Sequence, residues 1–322
     1  MTADPLPVAV VGAGNMGANH VRVYDELPET NLVEVVEPDT ETAATVRENH
    51  DVDILEDVSD IRRAEAATIT VPNDRHLPVA RTCIEQLGLD VLVEKPLEAT
   101  IERAEAIVDV ARDHGAVLQV GHIERYNPAV RLLSDILDGQ AVFALEAHRL
   151  GPFHDHLSAE DVIFDLMIHD IDVITSLVDA PVDGVHALGA RPRSDTCDHA
   201  IAQLQFENEV LATSTASHVT HGKIRELAVT TADAYITLDY QNQSLVLQRR
   251  GIERTTELPS HSGYRTETVT ETPYVRTREP LKAELESFAN CVRNHTTPTV
   301  DGEAGLRAVE LATQIADAIV RA

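Results

Sequence analysis

The sequence predicts an α/β chain in two parts: a parallel sheet wound with helices, then an α+β part with an open, mostly antiparallel sheet. Three observations support this. Short apolar runs alternate with helical segments over the first third of the chain. A glycine-rich turn follows the first run at once. Beyond about residue 140 the pattern changes to longer stretches of period-two alternation joined by tight turns. The expected division is residues 1–122 and 123–322, and 322 residues are enough for two separate cores.

Residues 7–11 read as a buried strand, followed by Gly12-Ala13-Gly14-Asn15-Met16-Gly17 and a helix to about residue 27. A second run, 32–36, ends on Glu37. Strand, GxGxxG, helix, strand and acid in that order form the dinucleotide-binding, or Rossmann, arrangement. Gly12 permits the tight turn, Gly14 lets the backbone approach a pyrophosphate, and Gly17 allows close helix–strand packing. Asn15 and Met16 open the helix, whose free N–H groups face the phosphates. Glu37 stands where a carboxylate accepts from the adenosine ribose hydroxyls, although a strand-end acid facing solvent is the plainer alternative. No arginine lies between Glu37 and Arg47 to hold a 2′-phosphate, so NAD is expected rather than NADP.

Strands follow at 67–71, 89–93 and 116–120, with helices at 77–87 and 101–114 between them. Helical connections imply a parallel sheet with right-handed crossovers, and ligands of such sheets lie beyond the carboxyl ends of the strands. Gly12, Glu37, Pro72-Asn73, Glu94-Lys95 and Gly121-His122 all fall at such ends. Lys95 stands out further, because the chain has three lysines against 23 arginines. An ammonium that closes a buried run, ahead of Pro96, points to chemistry.

In the second part a helix at 128–137 leads to a strand at 142–149 and a helix at 161–178. Strands at 200–206 and 210–217 flank Glu207-Asn208-Glu209 as a hairpin, and 227–230, 235–239 and 245–248 continue the sheet. Residues 254–278 read as a loop excursion, and helices at 280–294 and 303–321 end the chain. On the 161–178 helix, Asp165, His169 and Asp172 stand at i, i+4 and i+7 and so share one face. An imidazole beside a carboxylate suits a general base. A hydrogen-bonded core histidine fits the same spacing.

The formal charge of −28 disfavours nucleic-acid partners and anionic membrane surfaces. Acid excess with arginine in place of lysine is expected of a protein that works in concentrated salt. Its self-repulsion falls as the Debye length shrinks to about 3 Å at 1 M. The protein should therefore unfold more readily at about 0.1 M KCl than at about 2 M, as thermal melts at both salts would read. No apolar run approaches the ~18 residues of a membrane span, and no export signal is visible, so a cytoplasmic location is expected. Cys83, Cys197 and Cys291 form no CxxC pair, which supports neither disulfides nor a cysteine zinc site. His154 and His156 make an HxH pair without an evident third ligand, and no metal is expected.

Together, Gly12-x-Gly14-x-x-Gly17, Val71-Pro72-Asn73-x-x-His76, Glu94-Lys95-Pro96 and Asp165-x-x-x-His169-x-x-Asp172 resemble the Gfo/Idh/MocA family of sugar oxidoreductases. Pro298-x-x-x-Gly302-x-x-Gly305-Leu306 adds to the likeness, which covers nearly the whole chain. The resemblance implies a Rossmann domain, a C-terminal domain with an open sheet, and homodimers or homotetramers formed through that sheet. It implies that Val71, Pro72, Asn73, His76 and Glu94 join the glycine turn and Glu37 around the cofactor. Lys95, Asp165 and His169 would surround the reacting hydroxyl, and Lys95–Pro96 would be a cis bond. The segments His122-Ile-Glu-Arg125-Tyr126-Asn127 and Arg149-Leu-Gly-Pro resemble the subgroup acting on nucleotide sugars, the UDP-N-acetylglucosamine 3-dehydrogenases. His122, Arg125, Tyr126, Asn127 and Arg149 are then substrate candidates. The two arginines either meet a diphosphate or sugar hydroxyls or are structural partners of nearby acids. A free-sugar or inositol dehydrogenase, and a non-catalytic nucleotide-sensing regulator, are the alternatives.

Overall fold

The structure, a computed structural model, describes residues 4–153, 161–178, 180–251, 254–258, 261–265 and 268–321. His154 and His156 lie outside them. The first unit begins with β1 (Leu6–Val11), α1 (Asn15–Glu26), β2 (Thr30–Val36), α2 (Thr40–Asn49), β3 (Asp53–Leu55) and β4 (Ala66–Ile69). It continues through α3 (His76–Arg81), which runs into a π-helical turn at Thr82–Gln86, then β5 (Asp90–Glu94), α4 (Ile101–His114) and β6 (Leu118–Gly121). The six strands lie in the order β3-β2-β1-β4-β5-β6, every pair parallel. Alternate residues of β1 enter two apolar clusters, Val8 and Val10 with α1, Ala9 and Val11 with α4. Both faces of the sheet are therefore covered, which is why its strands read as unbroken apolar runs. Thr100 caps the start of α4, and Gly115, with φ of +65°, ends it.

The second unit comprises α5 (Pro128–Leu137), β7 (Val142–Leu150), a π-helical turn Ile163–Met167 leading into α6 (Ile168–Leu177), and β8 (Val182–Ala190). It goes on through β9 (His199–Phe206), β10 (Leu211–Ser217), β11 (Ile224–Thr231), β12 (Ala234–Asp239), β13 (Ser244–Arg250), β14 (Arg254–Leu258), β15 (His261–Arg265) and β16 (Thr268–Glu271). Eight of these strands form one sheet, β16-β13-β12-β11-β7-β10-β9-β8, in which β7 and β10 are parallel and the other pairs antiparallel. The hairpin predicted at 207–209 is present, with Glu209 at φ +67°. Residues 254–278 differ from the expected loop, since β14 and β15 pair with each other and β16 pairs with β13. All four residues of Thr268–Glu271 are exposed, so no apolar period marked that strand. β3 and β8 also escaped the sequence reading. One spans three residues, and the other is interrupted by Gly184 and Gly189.

Two further helices, α7 (Pro280–Asn294) and α8 (Gly302–Arg321), close the chain. Leu281, Leu285, Phe288 and Val292 of α7 pack into the cluster that holds Val21 and Tyr24 of α1. The expected single boundary at 122/123 is thus corrected. Residues 1–126 and 278–313 make one unit, and 127–277 and 314–322 the other. The reason is burial: the apolar stripe of α7 is needed to cover one face of the parallel sheet. Gly302 and Gly305 explain their own spacing, because a Cβ at either would stand 2.6 Å from Leu118 or Val120 on β6. Among the described residues, no helix is long and apolar enough to cross a membrane.

Candidate active site

In the first unit, parallel strands bring every expected strand end to one edge of the sheet. After β1, Gly12 takes φ of +92°, a conformation that side chains resist, and a Cβ on Gly17 would lie 2.0 Å from the Gly12 carbonyl oxygen. Nothing lies within 4 Å of a Cβ built on Gly14, which is exposed at the helix start beside Asn15 and Met16. This cradle fits a dinucleotide pyrophosphate: backbone N–H groups without a side chain in front of them. The Glu37 carboxylate accepts from Ala13 N–H at 2.7 Å and from Asp39 N–H at 2.9 Å, fixing it against the glycine turn. A neighbouring groove of about 520 Å³ is lined by residues of α1, α2 and their flanks that include Asp39, Glu41 and His50, with no lysine or arginine among them.

At the end of β5, Glu94 is buried and Lys95 half-buried, and the Lys95–Pro96 bond is cis. Burial pushes the Glu94 carboxyl upward. The His20 hydrogen bond at 2.9 Å, the charges of His20 and Lys95 and the Lys95 N–H at 3.1 Å outweigh it and hold the group below its ordinary range. Gly121 makes this possible, since a Cβ there would stand 2.9 Å from the Glu94 carboxyl. Pro72 and Asn73 are exposed and Val71 half-buried at the end of β4. His76, expected beside the cofactor, is held among backbone carbonyls. It is 1% exposed, with Nδ1 at 3.1 Å from the Pro96 and Leu97 oxygens and Nε2 at 2.9 Å from the Val71 oxygen. It staples two loops of the sheet edge together.

In the second unit the expected i, i+4, i+7 face is altered by the π-helical turn at Ile163–Met167. A π turn bonds residue i to i+5, so the register on which the i, i+4, i+7 spacing rests does not hold through Asp165. Asp165 meets His218, with Nε2 2.9 Å from Oδ2. His169 is half-buried and Asp172 buried.

Arg149 has the acid partner that the structural alternative expects. Its Nε and Nη2 lie 3.0 and 2.8 Å from the two carboxylate oxygens of Asp170, and its guanidinium rests 4.9 Å from the Tyr240 ring centroid. Side-chain exposures of 4% and 0% mark a fully desolvated, forked ion pair rather than a surface ligand. Asp170→Ala would remove this buried counter-charge and should cost about 3–5 kcal/mol of stability in denaturant titrations. The side chain of Asn127 caps α5 by accepting from Ala129 N–H and donates to the Tyr240 carbonyl. His122 and Tyr126 are each 1% exposed, which suits packing, whereas Arg125 is half-buried in the short helix Ile123–Tyr126.

Sequence reading missed His20, Asp170 and His218. His20 had a signal, since it lies one turn beyond Gly17 in the phosphate helix. Asp170 sat unremarked inside the 165–172 segment. His218 had none, because 53 residues separate it from Asp165.

The first unit's residues 6–122 match the profile of an oxidoreductase family with an NAD-binding Rossmann fold, called Gfo/Idh/MocA, and residues 141–237 match that family's C-terminal domain. A UDP-N-acetylglucosamine 3-dehydrogenase of Acidithiobacillus ferrooxidans is 33% identical over 98% of this chain and 97% of its own length. A solved structure of that enzyme superposes with a TM-score of 0.87, covering 98% of this chain and 97% of the other at 31% identity. A D-xylose 1-dehydrogenase [NADP(+)] of Haloarcula marismortui is 29% identical over 95% of this chain and 84% of its own.

Proposed function

The chain belongs to the Gfo/Idh/MocA oxidoreductase family, and from that premise we propose that it is an NAD-dependent dehydrogenase of a nucleotide sugar, of the UDP-N-acetylglucosamine 3-dehydrogenase kind. It is an oxidoreductase acting on sugar hydroxyls. The observation behind the finer reading is Lys95, the rare lysine that closes β5 on the same sheet edge as the glycine cradle. The relative that matches over nearly the full length of both chains acts, by its name, on a UDP-sugar.

When bound, the nicotinamide would accept a hydride from the carbon that is oxidised. Gly12, Gly14, Asn15, Met16 and Gly17 would hold the pyrophosphate, with Val71, Pro72, Asn73 and Glu94 along the same edge. Glu37 would turn from Ala13 N–H to the adenosine ribose. Asp39 and Glu41 in the adjoining groove support NAD over NADP, because carboxylates repel a 2′-phosphate. His169 takes the hydroxyl proton, Lys95 donates a hydrogen bond to the developing alkoxide, and Asp165 completes the proton-handling set. Arg125 is the remaining guanidinium candidate for the diphosphate.

Self-association through the eight-stranded sheet belongs to this proposal. Leu188, Ile201, Leu211 and Tyr235 are exposed on its strands, and Leu188 pairs with Ile201 across β8 and β9, apolar exposure of the kind that marks an interaction surface.

NADH formation from NAD with UDP-N-acetylglucosamine, glucose, xylose and inositol in about 2 M KCl tests the reading. Turnover of the UDP-sugar well above the others is expected. Preference for xylose or inositol would overturn the substrate class, and NAD binding without turnover of any sugar would point to a regulatory protein.

A further inference from the structure

His218 follows the last residue of β10, Ser217, which pairs with His199 on β9 and Leu150 on β7. Its backbone N–H donates to the Asp198 carbonyl at 2.8 Å, and its side chain is 2% exposed. The residue is thus fixed by the sheet while its imidazole reaches the helical segment before α6. Nε2 lies 2.9 Å from Asp165 Oδ2, and Nδ1 is buried with no hydrogen-bond partner among the described residues. An ionised carboxylate only accepts, so Nε2 holds the proton, and nothing at Nδ1 competes for the tautomer.

Two other carboxylates lie near His218, and each has donors of its own. Asp198 accepts from Arg193 N–H at 2.7 Å, Ser194 N–H at 3.0 Å and the Ser194 hydroxyl at 2.6 Å. Asp161 accepts from Ile163 N–H at 2.9 Å. Asp165 is the one that meets the imidazole. The terminal torsion of an aspartate has no staggered wells, so the plane of its carboxylate is set by the groups that bond it. On a π-helical turn that demand is sharper, because the regular helical register no longer aims the side chain.

We infer that His218 is the positioning residue of the proton-handling set: its Nε2–H pins one oxygen of Asp165 and so fixes the direction in which this carboxylate acts. This rests on the proposed role of Asp165. His218 does not itself meet the substrate in this account. Loss of its donor misplaces Asp165, and misplacement on the scale of an ångström costs up to ~10²-fold in rate.

The test compares His218→Phe, His218→Gln, Asp165→Asn and the double variant His218→Phe/Asp165→Asn in the full chain. Turnover is measured with NAD and the best substrate of the sugar panel, and histidine ring tautomers are read by nitrogen NMR. His218→Phe should lower kcat by ~10–100-fold with KM for NAD unchanged. Glutamine keeps an N–H near the place of Nε2 and should restore kcat to within about threefold of wild type. The double variant should be no slower than Asp165→Asn, because the histidine acts through the carboxylate. The Nε2–H tautomer should appear in the wild type. Wild-type kcat in a folded His218→Phe, beside a slow Asp165→Asn, overturns this inference alone, as do additive effects in the double variant. Wild-type kcat in Asp165→Asn overturns the proton-handling reading and this inference with it.

Discussion

Lys95→Met should cut kcat by ~10²–10³-fold while leaving a folded protein that still binds NAD. Methionine keeps most of the apolar stem and loses the donor, so the change isolates the hydrogen bond to the developing alkoxide. The fold should tolerate it, because the buried apolar residues of β5 are Val91, Leu92 and Val93, and Lys95 lies beyond them, half-buried. Glu94 loses a neighbouring cation but keeps its bond to His20. Steady-state rates with the UDP-sugar, a melting curve and an NADH-fluorescence titration give the three readouts. Near-normal kcat in the variant would remove Lys95 from the chemistry.

His169→Ala should lower kcat by ~10²–10⁴-fold, the usual worth of a positioned base. The cofactor's KM should move little, since the cradle at Gly12–Gly17 belongs to a different unit of the chain. Added imidazole should restore part of the rate if the lost group is a base. A variant that melts far below wild type, yet turns over normally while folded, would instead mark His169 as a core residue.

The first unit was legible because its physics is local. A glycine that must take φ of +92°, an acid at the next strand end and apolar runs covered on both faces all leave marks within a few residues of one another. The polar outer strands were not legible. Thr268–Glu271 bonds to β13 through its backbone and buries none of its residues, so nothing periodic survives in its composition. Helix α7 was readable as a helix but not as part of the first unit, since an apolar stripe says that it packs without saying on what.

The site divides along the same line. Lys95, Glu37 and the glycine turn announced themselves by position along single strands. Arg149 did not reveal whether it met a ligand or Asp170, and Asn127 did not reveal that it caps α5. Asp165 and His169 looked like a pair on an ideal helix. The structure also gives Asp165, on the π turn Ile163–Met167, a partner in His218, the residue that follows β10. The amino-acid sequence by itself determined the class of this protein, the glycine turn after its first strand and the strand end that carries Lys95, because turn geometry and strand periodicity are short-range. Only the tertiary structure decided which buried charges neutralise one another. A desolvated ion takes whatever counter-ion the fold brings within about 3 Å, however far away it lies in the chain.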